Sequence, residues 1–365
     1  MPLISTDVFS IIALCFTIGL AKRNIAVSNK KNMVYIYASA TTIILMILEI
    51  ATILMESSSN STIIVFNRIA NSLGFSLSPV VPFILLFYNS NKKRIGFLTV
   101  PLFFNILMCV LSYKTGLIFF VDAQNHYSRG NLFLMPTIIS MFYYALFLKA
   151  IIKNILEYEM EDIKVLAPVL FIPVVAIILQ ILFRNLLLIW SSASISLLLY
   201  YIFLLELQYR YDVQTKIRNR AAFEKEMEQS GNDDKNVAIV MFDINNLKIT
   251  NDKYGHKTGD ELIYNTAKII EKSFMGIGKA YRIGGDEFCV ICKDISEELL
   301  ESAMANLDDS LVKINQNRNI KIVVAYGHAV YNKNGSVSIY STFVQADKAM
   351  YTHKTKLKEF HAMNH

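Results

Sequence analysis

The sequence predicts a chain of two parts, an all-α membrane bundle of about seven helices followed by an α+β domain whose antiparallel sheet is flanked by helices. Three observations predict this: an apolar composition, an uneven distribution of charge, and a change of hydrophobic period near residue 208. Of the 365 residues, 53% are hydrophobic and only 18% are charged, whereas ordinary globular domains are about one quarter charged. Part of this chain is therefore expected to lie in a membrane.

The charge separates the two parts. Residues 1–210 carry 15 Lys/Arg against 9 Asp/Glu, while residues 211–365 carry 21 of each. The net charge of +6 thus belongs to the apolar part. A basic chain can indicate nucleic-acid binding, but here the excess basic residues fall in loops between apolar runs, so we expect no nucleic-acid partner.

Seven apolar runs approach or exceed the roughly 20 residues that a membrane-spanning helix needs. They cover residues 3–21, 33–55, 62–88, 96–113, 131–152, 165–183 and 186–207. Counted with Lys149 at the end of the fifth run, the odd-numbered loops between these runs hold ten basic residues, and the even-numbered loops hold three. Because cytoplasmic loops are enriched in Lys and Arg, the pattern predicts a multi-pass protein with its N-terminus outside and its C-terminal domain in the cytoplasm.

Ionisable residues interrupt two predicted spans. Glu49 lies in the second and Arg68 in the third, and since charges are costly in a bilayer, we expect these side chains to pair. Such a pair either fixes helix packing or belongs to a ligand site or switch. The loop 114–131 contains Asp122 and Arg129 beside several aromatic residues, which suits a ligand site and an interfacial aromatic belt equally well.

After residue 208 the pattern alternates between helical and strand periods, in the order α-β-α-β-β-α-β-α. The predicted elements are a helix over 219–229, a strand over Val237–Phe242, a helix over Glu261–Phe274, strands over Lys279–Arg282 and Phe288–Cys292, a helix over Ser296–Ile314, a strand over Ile320–Val330 and a helix over Ile339–Lys358. This order suggests an α+β domain with helices packed on a sheet.

Cys289 and Cys292 form a C-x-x-C without a second pair to complete a zinc site, so we interpret them as packed, reduced core thiols.

Carboxylates are concentrated at two points of this pattern. Asp243 ends a predicted buried strand, and Asp286 and Glu287 follow Gly284 and Gly285 in a predicted hairpin turn. Neighbouring carboxylates repel one another unless a cation lies between them, and hard oxygen ligands together with substrate phosphates suit Mg²⁺. Two glycines let a nucleotide approach the backbone closely. The residues therefore predict a phosphate-and-magnesium site, with a solvated acidic turn as the alternative.

Several motifs resemble those of the GGDEF family of diguanylate cyclases, and they follow one another at family spacing. They are R-I-G-G-D-E-F (Arg282–Phe288), D-x-x-T-x-I-x-N-R (Asp212–Arg220), D-I-N-N-L-K (Asp243–Lys248), N-D-x-x-G-H-x-x-G-D (Asn251–Asp260) and A-D-K-A-M-Y (Ala346–Tyr351). The resemblance covers about Asp212–Phe360. It implies a nucleotidyl-cyclase or palm-like fold with a ferredoxin-like core, and condensation of two GTP to cyclic di-GMP.

The resemblance also implies roles for individual residues. Two Mg²⁺ (or Mn²⁺) per site would be held by Asp243, Asp286 and the Ile244 carbonyl, with Glu287 either a metal ligand or the base for the ribose 3′-hydroxyl. Asn251 and Asp260 would read the guanine edge, which favours GTP over ATP. The remaining expected substrate contacts are Lys248, Lys354 and Lys358 on the triphosphate, the backbone near Asn246 and Leu247, and the motif residues Arg282, Gly284 and Gly285.

Two departures from the family pattern predict altered product inhibition and altered GTP binding. The inhibitory R-x-x-D of many members is replaced by Met275 and Gly278, which predicts no product inhibition through that site. The usual K-x-x-G-R appears as Lys354 to Lys358, and lysine lacks the bidentate fork of arginine, so GTP binding is expected to be weaker.

The resemblance leads to a division into a transmembrane sensor domain (1–207), a connector (208–218) and a diguanylate cyclase domain (219–365) of a protein in the bacterial cytoplasmic membrane. Expected partners are GTP, membrane lipid, an unknown ligand at the membrane or its outer face, and a second copy of the chain that dimerises through both regions. The alternatives are a catalytically inactive GGDEF module that signals by binding, and a transporter or channel with a regulatory tail.

Overall fold

The computed structural model describes residues 2–24, 29–56, 58, 60–89, 95–155, 160–183, 186–232, 236–332 and 337–363. The chain separates into two compact units, Met1–Leu205 and Glu206–His365. The first unit is helical apart from one short hairpin, and the second combines helices with a four-stranded sheet.

The described part of the first unit contains nine helices and one hairpin, and its last helix continues a few residues into the second unit. They are α1 (Pro2–Arg23), α2 (Asn29–Met55), α3 (Ser61–Leu77), α4 (Val80–Asn89), α5 (Ile95–Leu98), α6 (Val100–Thr115), β1 (Phe119–Val121), β2 (Tyr127–Arg129), α7 (Met135–Ile155), α8 (Met160–Leu182) and α9 (Ile189–Arg210).

Six helical segments in the described residues are long and apolar enough to cross a membrane. They are Ile4–Arg23, Lys30–Met55, Ser61–Phe87, Gly96–Thr115, Met135–Ile152 and Ile189–Arg210. The predicted span 165–183 corresponds to α8, which contributes the shorter apolar helix Leu170–Leu182. Many large apolar side chains of these helices are exposed, as expected for helices that face lipid.

The β1–β2 hairpin was not predicted from the sequence, and it explains where Arg68 goes. The Arg68 guanidinium donates from Nε and Nη2 to the Val121 carbonyl at 3.1 and 2.7 Å. The expected Glu49–Arg68 pair is therefore wrong, because a backbone carbonyl of the hairpin takes the guanidinium. Glu49 instead faces the carboxyl group of Asp7 in α1.

The second unit contains the remaining elements. They are α10 (Arg220–Asn232), β3 (Val237–Ile244), α11 (Leu247–Tyr254), α12 (His256–Ser273), β4 (Lys279–Arg282), β5 (Glu287–Lys293), α13 (Glu297–Gln316), β6 (Val324–Tyr331) and α14 (Ile339–Met363). The sheet order is β4-β5-β3-β6, and all three strand pairs are antiparallel. The predicted α+β fold with a flanked antiparallel sheet is confirmed.

Helices cover both faces of this sheet. Every residue of the central strand β3 is buried, and because successive side chains point to opposite faces, the strand contributes to two cores. Ala238, Val240 and Phe242 belong to a core that includes α12 and α13, while Ile239 and Met241 belong to one that includes α10 and α14. This double coverage explains why β3 reads as a continuous apolar run.

The thiols of β5 lie inside these cores. Cys289 and Cys292 are both buried and free. Burial raises the pKa of the Cys289 thiol well above its ordinary value and that of Cys292 to about 12. Both groups stay protonated at neutral pH, which confirms the interpretation of packed core thiols.

Candidate active site

Sheet register brings the predicted carboxylates together. Asp243, near the end of β3, pairs with Glu287, the first residue of β5. The backbone N–H of Ile244 donates to the Asp286 carbonyl at 3.1 Å. Asp243, Asp286 and Glu287, here called the carboxylate cluster, therefore lie at one end of two neighbouring strands, as the sequence predicted.

A tight turn joins β4 to β5 and carries the two glycines. A Cβ at Gly284 would lie 2.6 Å from Glu287 Oε2, whereas one at Gly285 would meet nothing within 4 Å. The turn therefore packs closely against the Glu287 side chain at Gly284, while Gly285 leaves open space beside the cluster.

The Arg282 side chain stabilises this turn through hydrogen bonds. Its Nε donates to the Gly284 carbonyl at 3.2 Å and its Nη2 to the Gly285 carbonyl at 2.7 Å. Its Nη1 donates to Asp212 Oδ1 at 3.0 Å and to Gln214 Oε1 at 2.6 Å. These contacts occupy most of the five N–H donors of the guanidinium, so Arg282 shapes the turn, and its contact with substrate stays a prediction.

Helix α11 begins beside the carboxylate cluster. Asn246 precedes it with φ 61° and makes no side-chain cap, a conformation that asparagine tolerates better than most residues. The first N–H groups of a helix have no partner within the helix, and such groups bind anionic phosphate well. Leu247 and Lys248 lie in this first turn, so the predicted backbone contacts to phosphate are well placed.

The predicted guanine readers lie on α11 and α12. Asn251 Oδ1 is buried and accepts no hydrogen bond from the residues that the structure describes, and a Cβ at Gly259 would lie 1.8 Å from it. Gly259 thus leaves the space that the Asn251 side chain occupies. Asp260 is exposed, and its Oδ1 accepts a hydrogen bond from Gln214 Nε2 at 2.8 Å. The exposed Asp260 carboxylate keeps a second oxygen that a base edge can use, while the contact of the buried Asn251 oxygen with guanine stays a prediction.

Lysines of α14 approach the carboxylate cluster. Lys354 Nζ lies 2.6 Å from Asp243 Oδ1, and the charge of Lys358 also acts on Asp243. Lys248 is exposed on α11. The sequence predicted all three as phosphate contacts, but it gave no sign that Lys354 pairs with a carboxylate of the cluster.

The electrostatics of the cluster are dominated by burial and mutual repulsion. Burial raises the pKa of Asp243, the hydrogen bond and charge of Lys354 oppose this, and the charge of Asp286 raises it further; the net pKa is above the ordinary value. Burial also raises the pKa of Glu287, and the charges of Asp286, Asp243 and, unanticipated from the sequence, Asp347 of α14 add to it.

The cluster suits a hard divalent cation. Negative charges that raise one another's pKa are relieved by a cation between them, and Mg²⁺ typically binds one or two carboxylates and completes its shell with waters and substrate phosphates. Within the described residues, no three His, Cys, Asp or Glu side chains are close enough to hold a metal ion by themselves. A metal here therefore fits best as one shared with a bound triphosphate.

The family model described as "Diguanylate cyclase, GGDEF domain" matches residues 209–359. These residues form a GGDEF domain. The match begins inside the predicted connector 208–218, so the division at that point stays a prediction. Sequence reasoning assigned no role to Gln214, within D-x-x-T, or to Asp347, within A-D-K-A-M-Y. Only the folded chain shows that Gln214 bonds to Arg282 and Asp260 and that the charge of Asp347 acts on Glu287.

Curated relatives of the GGDEF domain are diguanylate cyclases from several bacteria. Diguanylate cyclase DosC of Escherichia coli (strain K12) is 27% identical over 154 residues, which cover 40% of this chain and 33% of that protein. Diguanylate cyclase VdcA of Vibrio cholerae is 28% identical over 148 residues, covering 40% of this chain and 44% of that one. The chain thus spans less than half the length of these relatives.

Among solved structures, the coiled coil and GGDEF domain of DgcB from Caulobacter crescentus, in complex with c-di-GMP, aligns with a TM-score of 0.42 at 23% identity. The alignment covers 46% of this chain and 91% of that one.

Proposed function

We propose that this protein is a membrane-bound diguanylate cyclase that condenses two GTP to cyclic di-GMP and two pyrophosphates. The observation that carries the proposal is that a GGDEF domain holds its carboxylate cluster, an open helix N-terminus and the exposed Asp260 carboxylate in one place. The alternative is a catalytically inactive GGDEF module, and the complete carboxylate cluster favours the enzyme over it.

Substrate binding follows from the groups at the site. Asn251 and Asp260 accept from the N1–H and N2–H₂ donors of guanine, which adenine cannot match, since it lacks both. The first N–H groups of α11 and the cations Lys248, Lys354 and Lys358 bind the triphosphate. Lys354 exchanges the Asp243 carboxylate for phosphate when substrate binds.

A divalent cation, Mg²⁺ or Mn²⁺, would be held by Asp243, Asp286 and the Ile244 carbonyl, and when bound it would neutralise charge that develops on the α-phosphate. Two such ions per site are part of the proposal.

The chain's residues position the reacting groups. The 3′-hydroxyl oxygen of one GTP forms a bond to the α-phosphorus of the other, pyrophosphate leaves, and the same step repeated in the opposite direction closes the ring. Glu287 either receives the 3′-hydroxyl proton or completes the metal site. Its raised pKa makes it a better proton acceptor than an ordinary glutamate once it is ionised.

Since each domain holds one GTP, the active unit is a homodimer with two sites face to face. The helices that are long and apolar enough to cross a membrane support a location in the bacterial cytoplasmic membrane. The loop charges support an outside N-terminus and a cytoplasmic GGDEF domain. We propose that the membrane region senses a signal and alters how the two domains meet.

The proposal is tested by following the consumption of GTP and ATP by purified full-length protein in nanodiscs. Wild type consumes GTP and spares ATP, and Asp260→Asn loses this preference because the amide presents a donor to the guanine edge. The inactive-module alternative predicts GTP binding without consumption.

A further inference from the structure

A cavity of about 800 Å³ lies inside the membrane helices. Residues of α2, α3, α4, α7, α8 and α9 line it, together with β2 of the hairpin. Along α2 it extends from Leu45 to Ile53, about 12 Å at 1.5 Å per residue. This is the size of a site for a drug-sized small molecule, and the GGDEF domain makes no use of it.

The polar groups of the cavity wall gather near the hairpin. Glu56 Oε1 accepts from the backbone N–H of Tyr127 at 3.4 Å. Arg129 lies 4.3 Å from the Phe133 ring centroid and donates to the Gln180 carbonyl at 3.4 Å. Most of the remaining wall is apolar, for example Val81, Leu85, Phe147 and Leu197. A molecule that fills the cavity is therefore amphipathic.

Several polar side chains of the wall are already bonded to the protein. Gln180 Oε1 accepts from two backbone N–H groups at 2.8 and 3.0 Å. The Tyr144 hydroxyl donates to the Leu170 carbonyl at 2.5 Å, and the Thr52 hydroxyl donates to the Glu49 carbonyl at 2.7 Å. These groups shape the cavity and contribute little to the recognition of a charged ligand.

Glu49 is the exception. It lines the cavity seven residues before Glu56, about two helical turns away. In the part of the chain that the structure describes, its carboxyl group faces only the carboxyl of Asp7, which is fully buried. Glu56 and Arg129 balance each other in net charge, so the Asp7–Glu49 pair is the unbalanced acidic group of the cavity. Two buried carboxyl groups that face each other hold a proton between them, because two carboxylates side by side repel. A cationic ligand beside Glu49 replaces that proton and stabilises the ionised carboxylate.

We propose that this cavity is a binding site for an amphipathic amine or ammonium compound, with its cationic nitrogen beside Glu49 and its apolar body among α4, α7 and α9. Aromatic wall residues such as Phe75 and Trp190 supply faces that attract such a cation. The proposal is independent of the activity of the GGDEF domain.

The chain provides its own probe of this cavity, because Trp190 is its single tryptophan. Full-length protein in nanodiscs is titrated with 4-bromobenzyl-dimethyl-octylammonium, whose bromine quenches tryptophan emission at short range. A neutral ether and a carboxylate that carry the same bromobenzyl and octyl groups are the comparison probes. We expect saturable quenching by the ammonium, at a concentration at least tenfold lower than for either comparison probe.

Variants at Glu49 and Glu56 test which of the two carboxyl groups sets that preference. Glu49→Gln should abolish the preference for the ammonium, and Glu49→Asp should retain it. Glu56→Gln, which removes the same charge two turns away, should change the ammonium affinity by less than threefold.

The proposal is overturned if the three probes quench alike, if the carboxylate binds best, or if quenching rises linearly with the ratio of probe to lipid. It is also overturned if the ammonium preference survives Glu49→Gln or is lost equally in Glu56→Gln. Should Glu49→Gln fail to fold, the probe series on wild type alone decides.

Discussion

At the scale of single residues, the contacts of Gln214 connect two motifs of the GGDEF domain. Its Oε1 accepts from Arg282, and its Nε2 donates to Asp260. Asp260 has a second oxygen for guanine, so Gln214 fixes the carboxylate in one orientation before substrate arrives. In the D-x-x-T motif Gln214 occupies an unspecified position. Its role could not be predicted from the sequence, because its partners Asp260 and Arg282 are distant along the chain.

Replacing Gln214 tests that positioning role. Gln214→Leu frees the exposed Asp260 side chain, and immobilising one such side chain on binding costs about 0.5–1.5 kcal/mol. We expect the KM for GTP to rise about three- to tenfold with kcat nearly unchanged. Gln229→Leu, an exposed site on α10, serves as the matched control. An unchanged or lowered KM in Gln214→Leu would contradict the assignment.

Lys358 stands where the family pattern has arginine. Its charge reaches Asp243, so it faces the site, and an arginine there restores a bidentate contact to phosphate. Lys358→Arg should lower the KM for GTP about two- to fivefold, or roughly 0.4–1 kcal/mol. Lys356→Arg, two positions away, should leave steady-state kinetics unchanged. Equal effects of both variants would show that general charge explains the result.

The packing around Gly278 leaves no room for the aspartate of the R-x-x-D motif. A Cβ there would lie 2.5 Å from Cys292 Sγ and 2.7 Å from Val290 Cγ1, while Met275 is 73% exposed. We expect cyclic di-GMP not to inhibit the wild type through this site. Adding Gly278→Asp to Met275→Arg should destabilise the domain by about 1–3 kcal/mol, and should not restore inhibition.

The single variant Met275→Arg is the control and should be tolerated. Thermal unfolding with and without cyclic di-GMP separates the outcomes, and a stable double variant inhibited by product would refute the packing argument.

At the scale of secondary-structure elements, the sequence predicted every strand of the sheet. Alternating or continuous apolar runs identify β3 and β5. Because these two strands pair, the residues of the carboxylate cluster lie beside one another. It did not predict α11 or the β1–β2 hairpin. Helix α11 is eight residues long with a polar sequence, too short for a helical period to stand out, and the hairpin is held by tertiary contacts such as Asn67 Nδ2 to Asn125 Oδ1 at 2.8 Å.

Two ion pairs link Glu226 of α10 to β4 and β5, and they predict a pH dependence of stability. Lys293 Nζ donates to Glu226 Oε1 at 2.8 Å, and Lys279 Nζ lies 4.0 Å from Oε2. Burial raises the pKa of Glu226, but the hydrogen bond from Lys293 and the charges of both lysines outweigh it, so the pKa lies below its ordinary value. This stabilisation is present above the ordinary glutamate pKa and is lost as pH falls through the lowered one.

Glu226→Gln should therefore destabilise the domain at pH 7 by about 1–2 kcal/mol, or roughly 2–8 °C in unfolding midpoint. The difference from wild type should shrink in acid and vanish once the wild-type carboxyl is protonated. Glu224→Gln on the same helix removes an exposed pair with Arg220, which is worth under about 1 kcal/mol. A Glu226→Gln deficit that persists unchanged in strong acid would contradict the ionic origin.

At the scale of the whole molecule, the sequence predicted the two-part organisation because long apolar runs fill the first part and the hydrophobic period changes near residue 208. It could not predict which intramembrane charges meet. Glu49 and Asp7 come together only through the packing of α1 against α2, and Arg68 is satisfied by a hairpin that has no sequence signature. The division into 1–207, 208–218 and 219–365, the orientation in the membrane, the dimer and the sensing role stay predictions.

Diguanylate cyclase activity is tested by mass spectrometry of the products that purified full-length protein in nanodiscs forms from GTP and Mg²⁺. We predict one cyclic di-GMP and two pyrophosphates for every two GTP consumed by the wild type and by Asp309→Asn, an exposed aspartate on α13. We predict no cyclic di-GMP from Asp286→Asn. Equal product from Asp286→Asn, or a folded wild-type dimer that binds GTP and forms none, would contradict the account.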